Sequence, residues 1–344
     1  MKNKFKLFSK ISLILIFLVI LAGSTVRMTG SGMGCPDWPK CFGYLIPPTN
    51  RAQLDWKQNY TYNKGQIIIK NNKLYSSKKK FKSSTNYNEL NWELYTKHNY
   101  SLFNPYHTWI EYINRLIGAL SGLSVLVMTL FSFSYFKEKK LIPILSILIL
   151  FLMGFQAWLG KLVVDSNLMP IKITTHLTLA FILVIMMSII INMSQKKLYN
   201  YNLSKKFKLI IILGLTVTVT QIFMGTQVRE YIDQILKFSN INLSNIWDET
   251  PPFIFYIHRS FSILVLLIHF YIGYVLLKSR ELTIVFKIIM LMISLEILTG
   301  ILMYYFDFPF FSQPLHLLFA SILLAAQTYF IMEINNPKQN DIQI

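Results

Sequence analysis

A chain of 344 residues that is 53% hydrophobic and only 15% charged has too much apolar surface to hide in a water-soluble fold. Much of its formal net charge of +18 falls in alternate short loops, which argues against nucleic acid as a partner; the loop from about 30 to 106 is also basic but longer than those to which the positive-inside pattern applies. Eight apolar stretches are long enough to cross a bilayer, at about 11–29, 107–134, 141–163, 172–192, 207–228, 253–277, 283–304 and 315–333. In lipid such stretches must be helical, because no water is present to satisfy the backbone.

Lys2, Lys4, Lys6 and Lys10 precede the first stretch, and Lys137, Lys139 and Lys140 follow the second. Lys196, Lys197, Lys205, Lys206 and Lys208 join the fourth and fifth, and Lys278, Arg280 and Lys287 join the sixth and seventh. The positive-inside rule then places these loops and both termini in the cytoplasm. The first stretch, with its basic start and Leu21-Ala22-Gly23-Ser24, has the look of a signal peptide. An internal repeat argues that it is retained.

The repeat is read from landmarks in one order. Gly-x-x-Val-Arg ends both the first stretch (Gly23 to Arg27) and the fifth (Gly225 to Arg229). Tyr112-Ile113-Asn114-Arg115 in the second matches Tyr256-Ile257-His258-Arg259 in the sixth. Gln156-x-x-x-Gly160 followed by His176 matches Glu296-x-x-x-Gly300 followed by His316. The expected architecture is an all-α integral membrane protein of eight helices in two tandem four-helix halves, 1–195 and 196–344. A large polar outer loop, 33–105, distinguishes the first half; within it Gln66–Lys70 and Lys73–Tyr75 form a candidate hairpin around Asn71-Asn72. Lys78-Lys79-Lys80 reads as a solvated tip, and the other candidates for chemistry in this loop are His98 and His107.

Cys35 and Cys41 are the only cysteines, and both fall on the outer side. An oxidising compartment favours a disulfide between them, as a structural staple or as a redox-active pair. Two thiolates without neighbouring histidine make a poor zinc site.

His176, His258 and His316 each open an apolar stretch, and Asn114 holds the fourth equivalent point. Polar residues at membrane depth are functional candidates, and imidazole is a good iron ligand. This pattern fits a planar metal macrocycle. His258 and His316 would clamp one haem, with Arg229 and Arg259 placed for its propionates, and the repeat-equivalent Arg27 is a further propionate candidate. In the first half, His176 faces a position held by Asn114, a poor ligand. His107 lies seven residues earlier, roughly 10 Å further out at about 1.5 Å per residue. It is either the second ligand there, or the iron is five-coordinate; an open position suits chemistry and two ligands suit electron transfer. Glu111 is one helical turn from Asn114, whereas the second half has Phe255 at that point. Glu111 is therefore a candidate proton acceptor or charge stabiliser, with an i,i+4 ion pair to Arg115 as the alternative reading. His269, without a repeat mate, reads as a packed polar residue.

These residues resemble the haem A synthase family, which acts in cytochrome oxidase assembly. The resemblance rests on Gly34-Cys-Pro-Asp-Trp-Pro-Lys-Cys-Phe-Gly43 after Arg27-Met-Thr-Gly-Ser-Gly-Met33, on Glu111-Tyr-x-x-Arg115, on Gln156-x-x-x-Gly160 with His176, and on His258-Arg259 and His316. It implies a cofactor haem b between His258 and His316, and a substrate haem O near Glu111 and His176, with Asn114 and Arg115 beside it. The implied reaction oxidises a ring methyl of haem O to formyl through hydroxylated intermediates. The implied setting is the bacterial inner membrane, alongside a haem O synthase (protohaem farnesyltransferase) and an electron donor, with homo-oligomers in view. Asn114 departs from the family, much of which has histidine there, and the 51–100 insertion is longer than in other bacterial forms. The runner-up is a di-haem b-type cytochrome that passes electrons from quinol to an outer partner. A non-haem transporter fits less well, because the histidines lie at helix mouths rather than at the midplane.

Overall fold

A computed structural model describes residues 1–96, 103–195, 201, 203–238 and 251–335; His98 lies outside them. Eight long helices run through these residues: α1 (Lys2–Met28), α2 (Pro105–Ser132), α3 (Leu141–Asp165), α4 (Pro170–Ser194), α5 (Lys205–Phe238), α6 (Phe253–Lys278), α7 (Ile284–Tyr305) and α8 (Ser312–Ile334). All eight are long and apolar enough to span a membrane. The chain is a multi-pass membrane protein, and the large apolar side chains left exposed on its helices, such as Leu18, Leu130, Phe151 and Leu267, suit lipid rather than water.

Two helix ends differ from the apolar stretches. α1 begins at Lys2, not near residue 11, and α5 continues to Phe238, well past Val228. Apolar length marks only the part that needs lipid. Polar ends continue as helix wherever side chains support the turns, as Arg229 and Asp233 do across one turn of α5 at 2.8 Å.

Local sequence sets where the histidine-bearing helices start. Pro170 opens α4, at a position whose amide has no helical partner in any case. α6 follows the extended Pro252, and α8 follows Phe311, which turns the chain at a φ of 71°. His176, His258 and His316 thus fall within the first two turns of their helices.

The chain forms two compact units. One comprises Met1–Leu21, Ser121–Gly154 and Leu177–Ile344; the other comprises Ala22–Leu120 and Phe155–His176. In the first unit, α7 packs along α8, and α5 packs on both α6 and α8. Its cores gather Phe5, Val125, Met128, Ile142, Val184 and Met187 in one cluster and Val265, Leu276, Phe286, Ile289 and Phe330 in another.

The second unit carries the insertion as a small β module. β2 (Ile67–Lys70) and β3 (Lys73–Ser77) form the expected hairpin, with Lys70 opposite Lys73. Asn71 and Asn72 make the two-residue turn at φ 49° and 58°, a conformation that asparagine tolerates and the twist of a hairpin requires. β5 (Trp92–Leu94) adds to β3, and β1 (Thr61–Tyr62) pairs with β4 (Phe81–Lys82). Because side chains alternate along β2, Ile67 and Ile69 pack with Cys35, Cys41 and Phe42, while Ile68 packs with Tyr62 and Trp92. The insertion is thereby fastened to the cysteine loop by its own core. Lys78, Lys79 and Lys80 are exposed, as a solvated tip should be.

Candidate functional site

Each of the four equivalent points faces a glycine on the preceding helix. A Cβ added to Gly160 of α3 would stand 3.4 Å from His176 Cε1, one on Gly225 of α5 would stand 3.0 Å from His258 Cε1, and one on Gly300 of α7 would stand 4.0 Å from His316 Cε1. A Cβ on Gly23 of α1 would stand 3.7 Å from Asn114 Oδ1. Glycine lets each ring lie against helix backbone, as small residues do where membrane helices approach closely.

One turn before the glycine stands a polar partner. Gln156 Nε2 donates to the His176 carbonyl at 3.0 Å, and Gln221 Nε2 donates to the His258 carbonyl at 2.9 Å. On α7 the same place holds Glu296, whose Oε2 lies 3.0 Å from His316 Nδ1; Thr299 Oγ1 is 2.8 Å from that nitrogen. On α1 the place holds Val19. The first half therefore departs from the repeat on both sides of one contact, Asn114 for histidine and Val19 for an amide or acid. Gln221 and Thr299 were not singled out from the sequence. Gln221-x-x-x-Gly225 repeats the spacing of Gln156-x-x-x-Gly160, and that was the available signal.

The ring nitrogens separate candidate ligands from packing histidines. His269 of α6 also faces a glycine, Gly214, but both its nitrogens are consumed. Nδ1 bonds Val265 O at 2.7 Å, and Nε2 meets Gln327 Nε2 at 2.8 Å, which in turn donates to Thr218 Oγ1. It is the packed polar residue expected of it. By contrast, Nδ1 of His176, Nδ1 of His258 and Oδ1 of Asn114 are buried without a protein hydrogen-bond partner. Such orphan atoms are rare and call for an explanation. His258 and His316 also lie close enough to interact electrostatically. Among the described residues no three His, Cys, Asp or Glu side chains cluster as an all-protein metal site. A haem needs no such cluster, since its macrocycle fills four positions and leaves one or two axial sites for imidazole. The imidazoles of His176, His258 and His316 are side chains of the kind that requirement takes, while Asn114 at the fourth equivalent point is not.

Glu111 is 3% exposed and is held on both oxygens. Arg115 Nη2 donates to Oε1 at 2.5 Å, so the i,i+4 pair forms; the Cys35 amide donates to Oε2 at 2.8 Å. Arg115 also donates to the carbonyls of Asp37 (2.7 Å), Lys40 (2.9 Å) and Cys35 (3.3 Å). Cys35 and Cys41 form a disulfide and are 0% and 1% exposed. Asp37 accepts from the amides of Phe42 (2.6 Å) and Gly43 (2.8 Å), which closes the ring from inside. Burial raises the Asp37 carboxyl above the usual carboxylate range, against the lowering pull of those amides and of Arg115. Thr108 Oγ1 donates to Gly34 O at 2.8 Å, and a Cβ on Gly34 would strike the His107 carbonyl at 2.4 Å, so the loop sits directly on the start of α2. His107 is thus part of the surface on which the cysteine loop is docked.

The candidate propionate arginines differ in setting. Arg229 pairs with Asp233 and donates to Gln313 Oε1. Arg259 lies among the rings of Phe255, Tyr256 and Tyr304 at 5.6–5.9 Å, within cation–π range. Arg27 lies in the last turn of α1.

Fold and geometry define an eight-helix membrane protein with imidazoles packed against glycines at the starts of its helices. The chain belongs to the COX15-CtaA family, described as cytochrome oxidase assembly protein, whose model matches residues 6–89 and 64–328. It is similar to the heme A synthase of Rickettsia felis, at 25% identity over 94% of this chain and 96% of that protein. It is similar also to the heme A synthase of Rickettsia prowazekii, at 26% identity over 92% of this chain and 93% of that protein. The heme A synthase of Shewanella oneidensis shares 28% identity over 51% of this chain and 41% of its own length.

Proposed function

We propose that this chain is a haem A synthase, an oxidoreductase that converts a ring methyl of haem O to a formyl group through hydroxylated intermediates. The observation that carries the reading is the asymmetry between the halves. The second carries histidine, His258 and His316, at both of its equivalent points, whereas the first carries His176 and Asn114 and adds a buried acidic side chain, Glu111. Substrate haem O would be held in the half comprising 1–195 by His176, with Asn114, a poor iron ligand, at the other equivalent point. The half comprising 196–344 would hold haem b through His258 and His316, with Arg229 and Arg259 serving its propionates and Arg27 serving the substrate's. That haem supplies one-electron transfer.

The protein's own residues divide the remaining work. Glu111 accepts a proton or balances charge at the reacting carbon. Each carboxylate oxygen can accept more than one hydrogen bond, so those from Cys35 and Arg115 leave it able to do so. Arg115 fixes that carboxylate and the cysteine ring together. A disulfide in an outer loop, with both termini in the cytoplasm, is consistent with the bacterial inner membrane as the setting. A haem O synthase delivers the substrate; the four electrons lost by the carbon between methyl and formyl go to an external oxidant such as dioxygen, whose remaining reduction to water draws on a membrane electron donor; homo-oligomerisation fits this setting.

Mass analysis of pigments extracted from the purified protein, beside its reduced-minus-oxidised spectrum, tests the proposal. Haem B accompanied by haem O, a hydroxylated haem or haem A is expected. Haem B alone at two per chain would favour an electron-transfer cytochrome, and no haem from a host supplied with precursor would remove both readings. A finer test uses the glycines. Gly225→Ala leaves 3.0 Å to His258 and is expected to lower haem absorbance per protein, while Gly300→Ala, at 4.0 Å from His316, keeps it.

A further inference from the structure

We infer that a cavity of about 270 Å³ beside the cysteine ring binds a small oxyanion of the phosphate class, free in solution or carried on a lipid headgroup. The inference stands independently of the haem chemistry proposed above.

Three segments far apart in sequence build the cavity wall. The cysteine ring contributes Asp37, Trp38 and Lys40, the β module contributes Lys64 and Ser76, and the end of α3 contributes Lys161 and Asp165. Ile67 and Ile69 of β2 share a core with Cys35, Cys41 and Phe42, so the docked insertion supplies one side of the space.

Charge decides what this space takes. Both carboxylates in the wall are already engaged. Asp37 accepts from the amides of Phe42 and Gly43, one on each oxygen, and Asp165 pairs with Lys161 one turn earlier. The ammonium groups of Lys40 and Lys64 have no acidic partner among the described residues. Lys40 is half-buried, and a cation partly withdrawn from water without a counter-charge is costly. Ser76 is 8% exposed, yet its hydroxyl makes no hydrogen bond to another described residue. Buried hydroxyls are normally partnered. Lysine donates three hydrogen bonds and accepts none, and a serine hydroxyl has one to give. Two cations and a buried hydroxyl around one small space suit an acceptor-rich dianion. The volume lies just below the roughly 300–1,000 Å³ of pockets that hold drug-sized ligands, so the occupant is a single small group. Asp37 and Lys40 also offer their carbonyls to Arg115, and the Cys35 amide meets Glu111. An ion in the cavity therefore braces the same loop that lies on Glu111.

The test is equilibrium binding of labelled inorganic phosphate to the full-length protein, purified in neutral detergent and held at constant ionic strength in chloride. Saturable binding of one phosphate per chain is expected. Lys40→Gln with Lys64→Gln should weaken it at least about tenfold, the scale of a lost charge-assisted hydrogen bond. Lys79→Gln with Lys80→Gln removes the same charge from the exposed tip of the β module and should leave binding unchanged. Ser76→Ala alters no charge and should weaken binding several-fold; it serves in place of the double lysine variant if that protein fails to accumulate. Displacement of the label by phosphatidylglycerol, and not by phosphatidylcholine, would identify a headgroup as the source of the phosphate, and retention of the label would identify the free ion. Absence of saturable binding to the parent protein overturns the inference. So does an equal loss in the tip variant, which would mean diffuse attraction to a basic loop rather than a site.

Discussion

A Glu111→Gln variant is expected to retain haem b and form no haem A. The glutamine carbonyl still accepts from the Cys35 amide, which Glu111 Oε2 now does at 2.8 Å, so the loop above α2 stays docked. What disappears is the charge and the ability to take a proton. Positioned proton transfer contributes roughly 10²–10⁴-fold to rate, so formyl-haem formation should fall by at least that order. Glu111→Ala should abolish it as well, though it also strips Arg115 of its anionic partner and is the less clean variant. The second half offers the control. At the equivalent point it carries Phe255, packed among Val228, Ile232 and Phe308, whose side chain has no proton to exchange, so a haem held there lacks this carboxyl. Extracted pigments should show haem B at its normal level and haem O without oxidised products. Full activity in the glutamine variant would take Glu111 out of the chemistry and leave it as the anchor of the cysteine loop.

That double character of Glu111 marks where the sequence stops being legible. Helix number, the histidine positions and the Glu111–Arg115 pair were readable because each is a local pattern: apolar length, placement at a helix start, or a separation of four residues. The Cys35 amide meets Glu111 across 76 positions, and no local period encodes such a contact. The same holds for Asp37, which reads as one residue of a proline-rich loop until the fold shows it closing the cysteine ring onto Phe42 and Gly43. The β module was legible only in its hairpin. The pairing of β5 with β3, and the division of three consecutive isoleucines between two cores, depend on the cysteine loop folding against it. Gln221 is a different case: its spacing to Gly225 was present in the sequence. Recognising it required knowing that the glycine faces a histidine ring, since only then does the residue one turn earlier acquire a role.

Arg115→Ala is expected to cost more stability than reduction of the disulfide. The guanidinium serves one carboxylate and three loop carbonyls, and its planar fork lets it do so at once. Removing it leaves the buried Glu111 carboxylate with only backbone amides of the cysteine loop and leaves three carbonyls of the ring without that donor. Breaking a buried ion pair from one side costs about 3–5 kcal/mol, mostly from the stranded charge. The diagnostic variant is therefore the double one. Arg115→Ala with Glu111→Gln removes the stranded charge and should recover a large part of the loss, whereas two independent sites would simply add. Arg115→Lys should rescue little, because a compact ammonium cannot span the same acceptors. Reducing Cys35–Cys41 leaves Arg115, Asp37 and Thr108 gripping the loop, so the reduced protein should melt closer to the oxidised one than Arg115→Ala does. Thermal unfolding in detergent, with limited proteolysis of the 33–105 loop, reads all four states. If Arg115→Ala melts with the parent while the reduced protein does not, the disulfide and not the arginine holds the loop over Glu111, and the link between loop and carboxylate runs through sulfur.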